Sequence, residues 1–272
     1  MITCAITGST GVLGKRIKKL LPYKFYEFKE DLTNKKKVEK WVFGKDFDII
    51  IHLAALVPVD EVNKNYKKAY NINVTGTLNL INSILKKKIK PKWFFFSSTS
   101  HVYKFSQKFL RIRETFKTKP QNKYGKTKLL AENLLKNKLK DKKIKLCIGR
   151  IFSFTDKNQK PPYVIPSIKK KINSKNKNIL LENLNHYRDF LSTKDIVKAI
   201  DTLKKKEKTG IYNIGSGKKF KLKEIAKLLA KKKKLKFKDN LVSTYLISDN
   251  SKLTSLKWRP LRYKKKLEYF YK

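Results

Sequence analysis

The chain has 272 residues, of which 40% are hydrophobic and 12% aromatic. That suffices for one large α/β domain, or a large domain with a small lobe, and no run of about 18 apolar residues suggests a membrane span. The formal charge of +47 rests on 61 Lys and only 7 Arg, with Asn, Ile, Phe and Tyr also plentiful; it reads as coding bias towards AT-rich codons, with a field that helps anionic substrates as the second reading, since a nucleic-acid reader is expected to place Arg at base edges and aromatics along a basic stripe.

The start Met1-Ile-Thr-Cys-Ala-Ile-Thr-Gly8 enters a strand pattern directly and lacks the basic start, apolar stretch and cleavage site of a signal peptide. Residues 2–7 form an apolar run that ends at glycines, and residues 12–21 have helical spacing. A short strand is expected at Lys24–Phe28, a helix at 34–43, and a nearly continuous apolar strand at 48–54. A long helix at 71–88 leads to a strand at 92–97; a helix at 121–139 leads to a strand at 144–151. Continuous apolar strands separated by helices indicate a parallel sheet covered on both faces, and right-handed crossovers make it a Rossmann-type doubly wound α/β fold. After about residue 151 the texture changes. Pro161-Pro-Tyr-Val-Ile-Pro166 breaks regular structure before a basic helix, further helices are expected at 193–203 and 222–230, and a strand at 211–214 returns to the sheet. The Lys runs at 86–88, 204–206, 231–234 and 264–266 read mostly as solvated ends and turns. Cys4 and Cys147 lie in apolar runs, so buried, reduced thiols in a cytoplasmic protein are expected, and the three His offer no metal-ligand cluster.

Two local patterns carry chemistry. Thr7-Gly8-Ser9-Thr10-Gly11-Val12-Leu13-Gly14 sits between the first strand and the first helix. Gly8 can make the tight turn, Gly11 lets a phosphate approach the backbone, and Gly14 lets the helix pack on the sheet, with the helix N-terminus turned to a pyrophosphate. A nucleoside-triphosphate loop is disfavoured because Gly14-Lys15 is followed by Arg16 rather than Ser or Thr. Tyr124 and Lys128, four apart in Gln121-Asn-Lys-Tyr-Gly-Lys-Thr-Lys-Leu-Leu-Ala-Glu132, share a helix face. A phenol beside an ammonium is a candidate acid/base, because the charge favours the phenolate. Composition alone predicts about three Tyr-x-x-x-Lys matches, so the pair gains its weight from its surroundings.

Those surroundings resemble the extended short-chain dehydrogenases/reductases, the NAD-dependent epimerase/dehydratase family, along nearly the whole chain. Thr7–Gly14 resembles the family's nucleotide loop, Asp31-Leu32 its adenine-contacting dipeptide, and His52-Leu53-Ala54-Ala55 its third-strand motif. Asn71-Ile-Asn73-Val-Thr-Gly-Thr-Leu-Asn79 resembles its central helix, and Phe96-Ser-Ser-Thr99-Ser-His-Val-Tyr103 the strand end that carries its catalytic hydroxyl. Arg188-Asp-Phe190 with Asp195, Tyr212-Asn-Ile-Gly215 and Ser248–Leu253 resemble blocks of its sugar-nucleotide part. The resemblance implies an NAD(P)-dependent epimerase or 4-keto reductase acting on a nucleotide sugar. Thr99, Tyr124 and Lys128 would be catalytic. Gly8, Thr10, Gly11, Val12, Leu13, Gly14, Asp31, Leu32, Leu53, Ala54, Ala55, Asn73, Tyr124 and Lys128 would bind cofactor, and Thr99, Tyr124, Ser153 and Arg188 substrate. One Rossmann-type domain, 1–272, would carry a substrate lobe built mainly from about 152–195 and 216–272, and a homodimer would form through helices 60–88 and 121–139. A non-catalytic dinucleotide-binding regulator is the alternative this fold also supports.

The pattern departs from the family at instructive places. Family dehydratases follow the catalytic Thr with Asp-Glu, whereas Ser100-His101 stand here, so the pair needed to eliminate water is missing. His101 lies in the titration range of a neutral-pH switch, but a packing residue facing away from Thr99 is the expectation for it. Ser153 stands where the family often has Asn. No clear acid marks the tip of the second strand; Glu27, Lys29 and Glu30 lie there, and Lys15, Arg16 and Lys29 are the basic residues near a 2′-phosphate position, which leaves NAD and NADP both open.

Overall fold

The structure, a computed structural model, describes residues 1–174, 178–231, 233–239 and 242–261. The Lys run at 264–266, Lys232 and the end of the expected substrate lobe lie outside the described residues. Strands β1 (Thr3–Thr7), β2 (Lys24–Phe28), β3 (Ile49–His52), β4 (Trp93–Thr99), β5 (Lys145–Ile151) and the later β10 (Gly210–Ile214) form one parallel sheet in the order β10-β5-β4-β3-β1-β2. Helices α1 (Val12–Leu20), α2 (Lys35–Phe43), α3 (Val59–Lys64), α4 (Tyr66–Tyr70), α5 (Gly76–Lys86) and α6 (Lys123–Leu139) make the crossovers. The chain runs outward from β1 to β2 and then returns to place β3 on the other side of β1. A crevice therefore opens at the carboxyl ends of β1 and β3, where open α/β sheets bind ligands.

The pleat divides the apolar strands between two cores. Cys4, Ile6, Ile49, Ile51, Trp93, Phe95 and Cys147 pack with Ile17 of α1 and with Ile196 and Ile200. Ala5, Ile50, Phe94, Phe96 and Ile148 pack with Leu80 and Ile84 of α5 and Leu135 of α6. Ile49, Ile50 and Ile51 are all fully buried, which is why β3 carries no polar alternation. Both cysteines are free and buried, and burial pushes both thiols up.

The second half adds β6 (Ser153–Thr155), α7 (Val164–Ile172), β7 (Ile179–Glu182), β8 (Tyr187–Arg188), β9 (Phe190–Ser192), α8 (Thr193–Lys205), β11 (Phe220–Lys221), α9 (Leu222–Ala230), β12 (Leu235–Lys238), β13 (Tyr245–Leu246) and α10 (Ser251–Thr254). Ile165, Ile168, Ile179, Leu181, Phe220 and Ile225 build a separate apolar cluster. Leu253 and Trp258 return to the main core. Among the described residues no helix is long and apolar enough to cross a membrane.

Several boundaries differ from expectation for physical reasons. The long helix expected at 71–88 is a π-turn at Asn71–Thr75 followed by α5. β3 stops at His52 rather than 54, because Leu53 and Ala54 turn their N–H groups back to the carbonyl and hydroxyl of Thr7. β4 continues past Ser97 to Thr99. Pro166 does not break structure but lies in the first turn of α7, where its missing N–H costs nothing. Lys87, expected to be solvated, is buried: its ammonium donates to the carbonyls of Val42 and Lys45 and pairs with Asp46 at 2.9 Å.

Candidate active site

At the crevice, Gly8 has φ +71 and a side chain there would meet the Ala54 nitrogen at 2.7 Å. A Cβ on Gly14 would overlap the Gly8 carbonyl, so β1, the loop and α1 close on one another only with glycine at both places. α1 begins at Gly11 without a side-chain cap or an acid in its first turn. Its N-terminus therefore presents free N–H groups and a positive dipole end. Thr10 and Gly11 are exposed at the mouth, whereas Val12 is half-buried and the Leu13 side chain points into the core. Leu13 can serve an anion only through its backbone.

The opposite wall is the segment Leu53-Ala54-Ala55. Asn73 fixes it: its carbonyl oxygen accepts from Leu56 N at 2.7 Å, and its amide donates to Leu56 O at 3.1 Å and Thr127 Oγ1 at 2.9 Å. Both amide hydrogens are thus spent, so Asn73, expected to bind cofactor, instead braces the wall against α6. His52 is buried between Thr7 and Thr77, and burial pushes it down to about 3, leaving it a neutral strut. Asp31 is exposed and accepts from Thr33 N at 2.8 Å. Leu32 packs into the core, and its carbonyl accepts from Asn79, so it too can offer only backbone. Arg16, one candidate for a 2′-phosphate, is held by Asp156 at 2.8 Å, and Glu27 pairs with Lys18 and Lys29.

α6 carries the expected pair into the same crevice. Asn122 caps it, its side-chain oxygen accepting from Gly125 N at 2.8 Å. Tyr124 is 8% exposed and Lys128 1%. Thr99, the last residue of β4, lies beside the Tyr124 phenol and favours the phenolate by hydrogen bonding, but burial outweighs it and pushes the phenol well above its ordinary value. The expectation that Lys128 lowers the Tyr124 pKa is therefore not what dominates here. The Lys128 ammonium lies over the Phe96 ring at 4.1 Å, and burial pushes it down to about 7, with Glu132 opposing. No protein acceptor among the described residues takes its protons.

Glu132, one turn beyond Lys128, carries no signal of its own in the sequence, although it ends the segment that holds the pair. It is fully buried and bidentate to Arg150 at 3.0 and 2.7 Å, and Ser98 donates to it as well. Arg150 also donates to the Tyr103 hydroxyl at 2.9 Å, which donates to Asn213 at 2.8 Å. This network ties α6 to β4, β5 and β10 directly behind Tyr124 and Lys128. From the second half, Arg188 reaches the site from β8. Its guanidinium donates to the carbonyls of Tyr187 and Thr244 and lies 5.1 Å from the Phe105 ring. It has no carboxylate partner among the described residues, and burial lowers it to about 10. Ser153 is half-buried on β6, in register with Phe190.

Lys128→Met is expected to stabilise the dinucleotide-free protein at pH 6, where the wild type must bury a charged ammonium. The unfolded lysine binds its proton up to about pH 10.4, the folded one only to about 7. Wild-type stability therefore gains with rising pH across that window, and the advantage of the variant should shrink across it. Urea denaturation at pH 6, 8 and 9.5 checks this; a variant less stable than wild type at pH 6 would contradict it.

A sequence model of the family described as GDP-mannose 4,6 dehydratase matches residues 6–266. The chain is 28% identical over 189 residues to GDP-6-deoxy-D-mannose reductase of Pseudomonas aeruginosa, covering 67% of this chain and 62% of that protein. It is 30% identical over 198 residues to GDP-6-deoxy-D-talose 4-dehydrogenase of Aggregatibacter actinomycetemcomitans, covering 70% and 66%. The matches thus span somewhat less than two thirds of these relatives. Among solved structures, RMD from Pseudomonas aeruginosa complexed with NADPH superposes with a TM-score of 0.89 at 23% identity, covering 99% of this chain and 97% of that one. UDP-glucose 4-epimerase of Thermus thermophilus in complex with NAD gives 0.84 at 18% identity, covering 99% and 97%. These likenesses bear on the fold.

Proposed function

Because the chain belongs to the GDP-mannose 4,6 dehydratase family, within the extended short-chain dehydrogenases/reductases, we propose that it is an NAD(P)-dependent reductase or epimerase of a nucleotide-activated sugar. One observation carries the reading: a buried Tyr124 beside Thr99, one helical turn from the buried ammonium of Lys128 and on the same crevice as the glycine loop. The residues fit a dinucleotide. Gly8, Thr10, Gly11 and the N–H groups of Val12–Gly14 would hold its pyrophosphate, the backbone of Asp31-Leu32 and Leu53–Ala55 would line it, and Lys128 would hold its nicotinamide ribose.

A bound nicotinamide supplies or accepts the hydride. In the reductive direction Tyr124 gives its phenolic proton to the sugar oxygen, and in the oxidative direction it takes that proton back. Thr99 orients the same oxygen, and the Lys128 ammonium stabilises the phenolate left behind. Arg188 is the bidentate donor for the diphosphate, and Ser153 contacts the sugar. The family's dehydration is not supported, because Ser100 and His101 stand where it needs its acid pair. A homodimer through 60–88 and 121–139 is also proposed; Tyr70 and Leu130 on these segments are 40% and 43% exposed.

The purified protein should be assayed with NADPH and NADH against 4-keto nucleotide sugars, and its bound dinucleotide extracted and weighed. Stoichiometric NAD(P)H loss with formation of an alcohol is the reductase outcome; tightly retained NAD+ with interconversion of two sugars is the epimerase outcome. A protein that binds no dinucleotide would overturn the proposal.

A further inference from the structure

We infer that His101 is a specificity-determining residue: its imidazole Nε2–H donates a hydrogen bond to an oxygen of the bound sugar, on the edge running from the reacting carbon at Tyr124 towards the diphosphate at Arg188. The inference rests on the function proposed above. Packing away from Thr99 is the expectation for this side chain, but β4 ends at Thr99 and Ser100–Val102 forms a 3-10 turn. The turn rather than the pleat therefore sets this side chain, and the His101 backbone N–H turns back to Thr99 Oγ1 at 3.2 Å.

The turn sets the ring between the groups assigned to the two ends of the substrate. It stands edge-on to Tyr124 at 5.9 Å and 68°, and edge-on to Phe105 at 5.4 Å and 81°. Arg188 packs on that same Phe105 ring, 5.1 Å from its centre, and is close enough for its charge to disfavour a second positive charge on His101. A sugar reaching from Tyr124 to a diphosphate on Arg188 passes this imidazole, which is half-buried.

Hydrogen bonding fixes which nitrogen carries the proton. Asn122 uses its side-chain oxygen to cap α6 at Gly125, which turns its amide nitrogen to His101 Nδ1 at 2.7 Å. An amide NH2 only donates, so Nδ1 must accept and the proton sits on Nε2. Burial and then Arg188 push His101 down to about 4, so the ring is neutral near pH 7 and Nε2 is a donor. Among the described residues no protein acceptor takes that N–H. Of the other groups around the ring, Tyr124 is a protonated phenol and Asn122 and Thr99 do not titrate. A bound sugar that displaces water from this half-buried ring must replace the lost acceptor or leave the donor unsatisfied at a cost, and an oxygen of the substrate is the acceptor that this position offers. A neutral N–H selects an acceptor oxygen and discriminates against a sugar that lacks it.

The test uses GDP-linked 4-keto-6-deoxyhexoses that carry both the C2 and C3 hydroxyls, or lack one of them. Wild-type protein should show kcat/KM lower by about tenfold or more for one deoxy sugar. His101→Phe keeps a flat ring against Phe105 and Tyr124 but has no N–H, and should turn over parent and deoxy sugar at similar kcat/KM. Unchanged discrimination in that variant, or none in wild type, overturns the inference. A second measurement needs no variant. The chain has three His, so 15N-histidine NMR resolves each ring. His101 should be the Nε2–H tautomer, and its Nε2 resonance should move on saturation with the parent sugar nucleotide in the presence of NADP+. An Nδ1–H tautomer, or an unmoved Nε2, overturns the inference even if His101→Phe fails to fold. If wild type binds no dinucleotide, the functional reading fails; if it binds the dinucleotide while its handling of these sugars does not depend on His101, only the role of His101 fails.

Discussion

Tyr124→Phe is expected to lose about 10²–10⁴-fold in turnover, the scale of a positioned acid/base, while dinucleotide binding and folding survive. The ring packs against Val62 and Ala69, and phenylalanine preserves those contacts. Only the hydroxyl beside Thr99 disappears, and with it the proton for the sugar oxygen. Burial holds that phenol protonated in the dinucleotide-free protein, the state from which a reduction begins. Single-turnover hydride transfer, followed by loss of NAD(P)H absorbance, measures the effect, and fluorescence titration with the dinucleotide measures binding separately. Turnover at the wild-type rate would remove Tyr124 from its assigned role.

Glu132→Gln is expected to cost about 3–5 kcal/mol of stability, because it strands a charged Arg150 in the interior. Arg150 is 2% exposed and Glu132 fully buried. The amide can replace some hydrogen bonds of the carboxylate, but it cannot neutralise the guanidinium. Replacing both partners together, Glu132→Leu with Arg150→Met, should cost much less, since no buried charge is left unpaired. For comparison, Lys145–Glu207 has side chains 50% and 49% exposed, where solvent screens the pair, and breaking it should cost far less. Urea midpoints and slopes of the variants test the contrast. If Glu132→Gln lost no more stability than the loss of the surface pair, the buried network would not be what anchors α6 behind the reacting groups.

The frame of the site was legible because it is written in local patterns. Glycine spacing after an apolar run places the loop between β1 and α1, and the i, i+4 relation places Tyr124 and Lys128 on one face of α6 whatever lies opposite. The partners were less legible. Glu132 and Arg150 are 18 residues apart on a helix and a strand, and only the packing of α6 on the sheet turns them towards each other. The motif around Asn73 points to a cofactor contact, yet its amide is used up on Leu56 and Thr127. Lys87 looks in sequence like any other lysine of this chain, but two carbonyls and Asp46 close around it.

By itself, then, the sequence determined the parallel sheet, the strand-loop-helix unit with its glycine turn, and the placing of Thr99, Tyr124 and Lys128 at one end of that sheet. These depend on backbone periodicity and on glycines that no other residue can replace. Only the tertiary structure decided the electrostatic state of those residues and their company. Burial raises the Tyr124 pKa and lowers that of Lys128 against the simple effect of their proximity, and a 3-10 turn at the end of β4 sets the His101 ring beside Tyr124. Desolvation and orientation are set by atoms far away in sequence, and no local pattern encodes them.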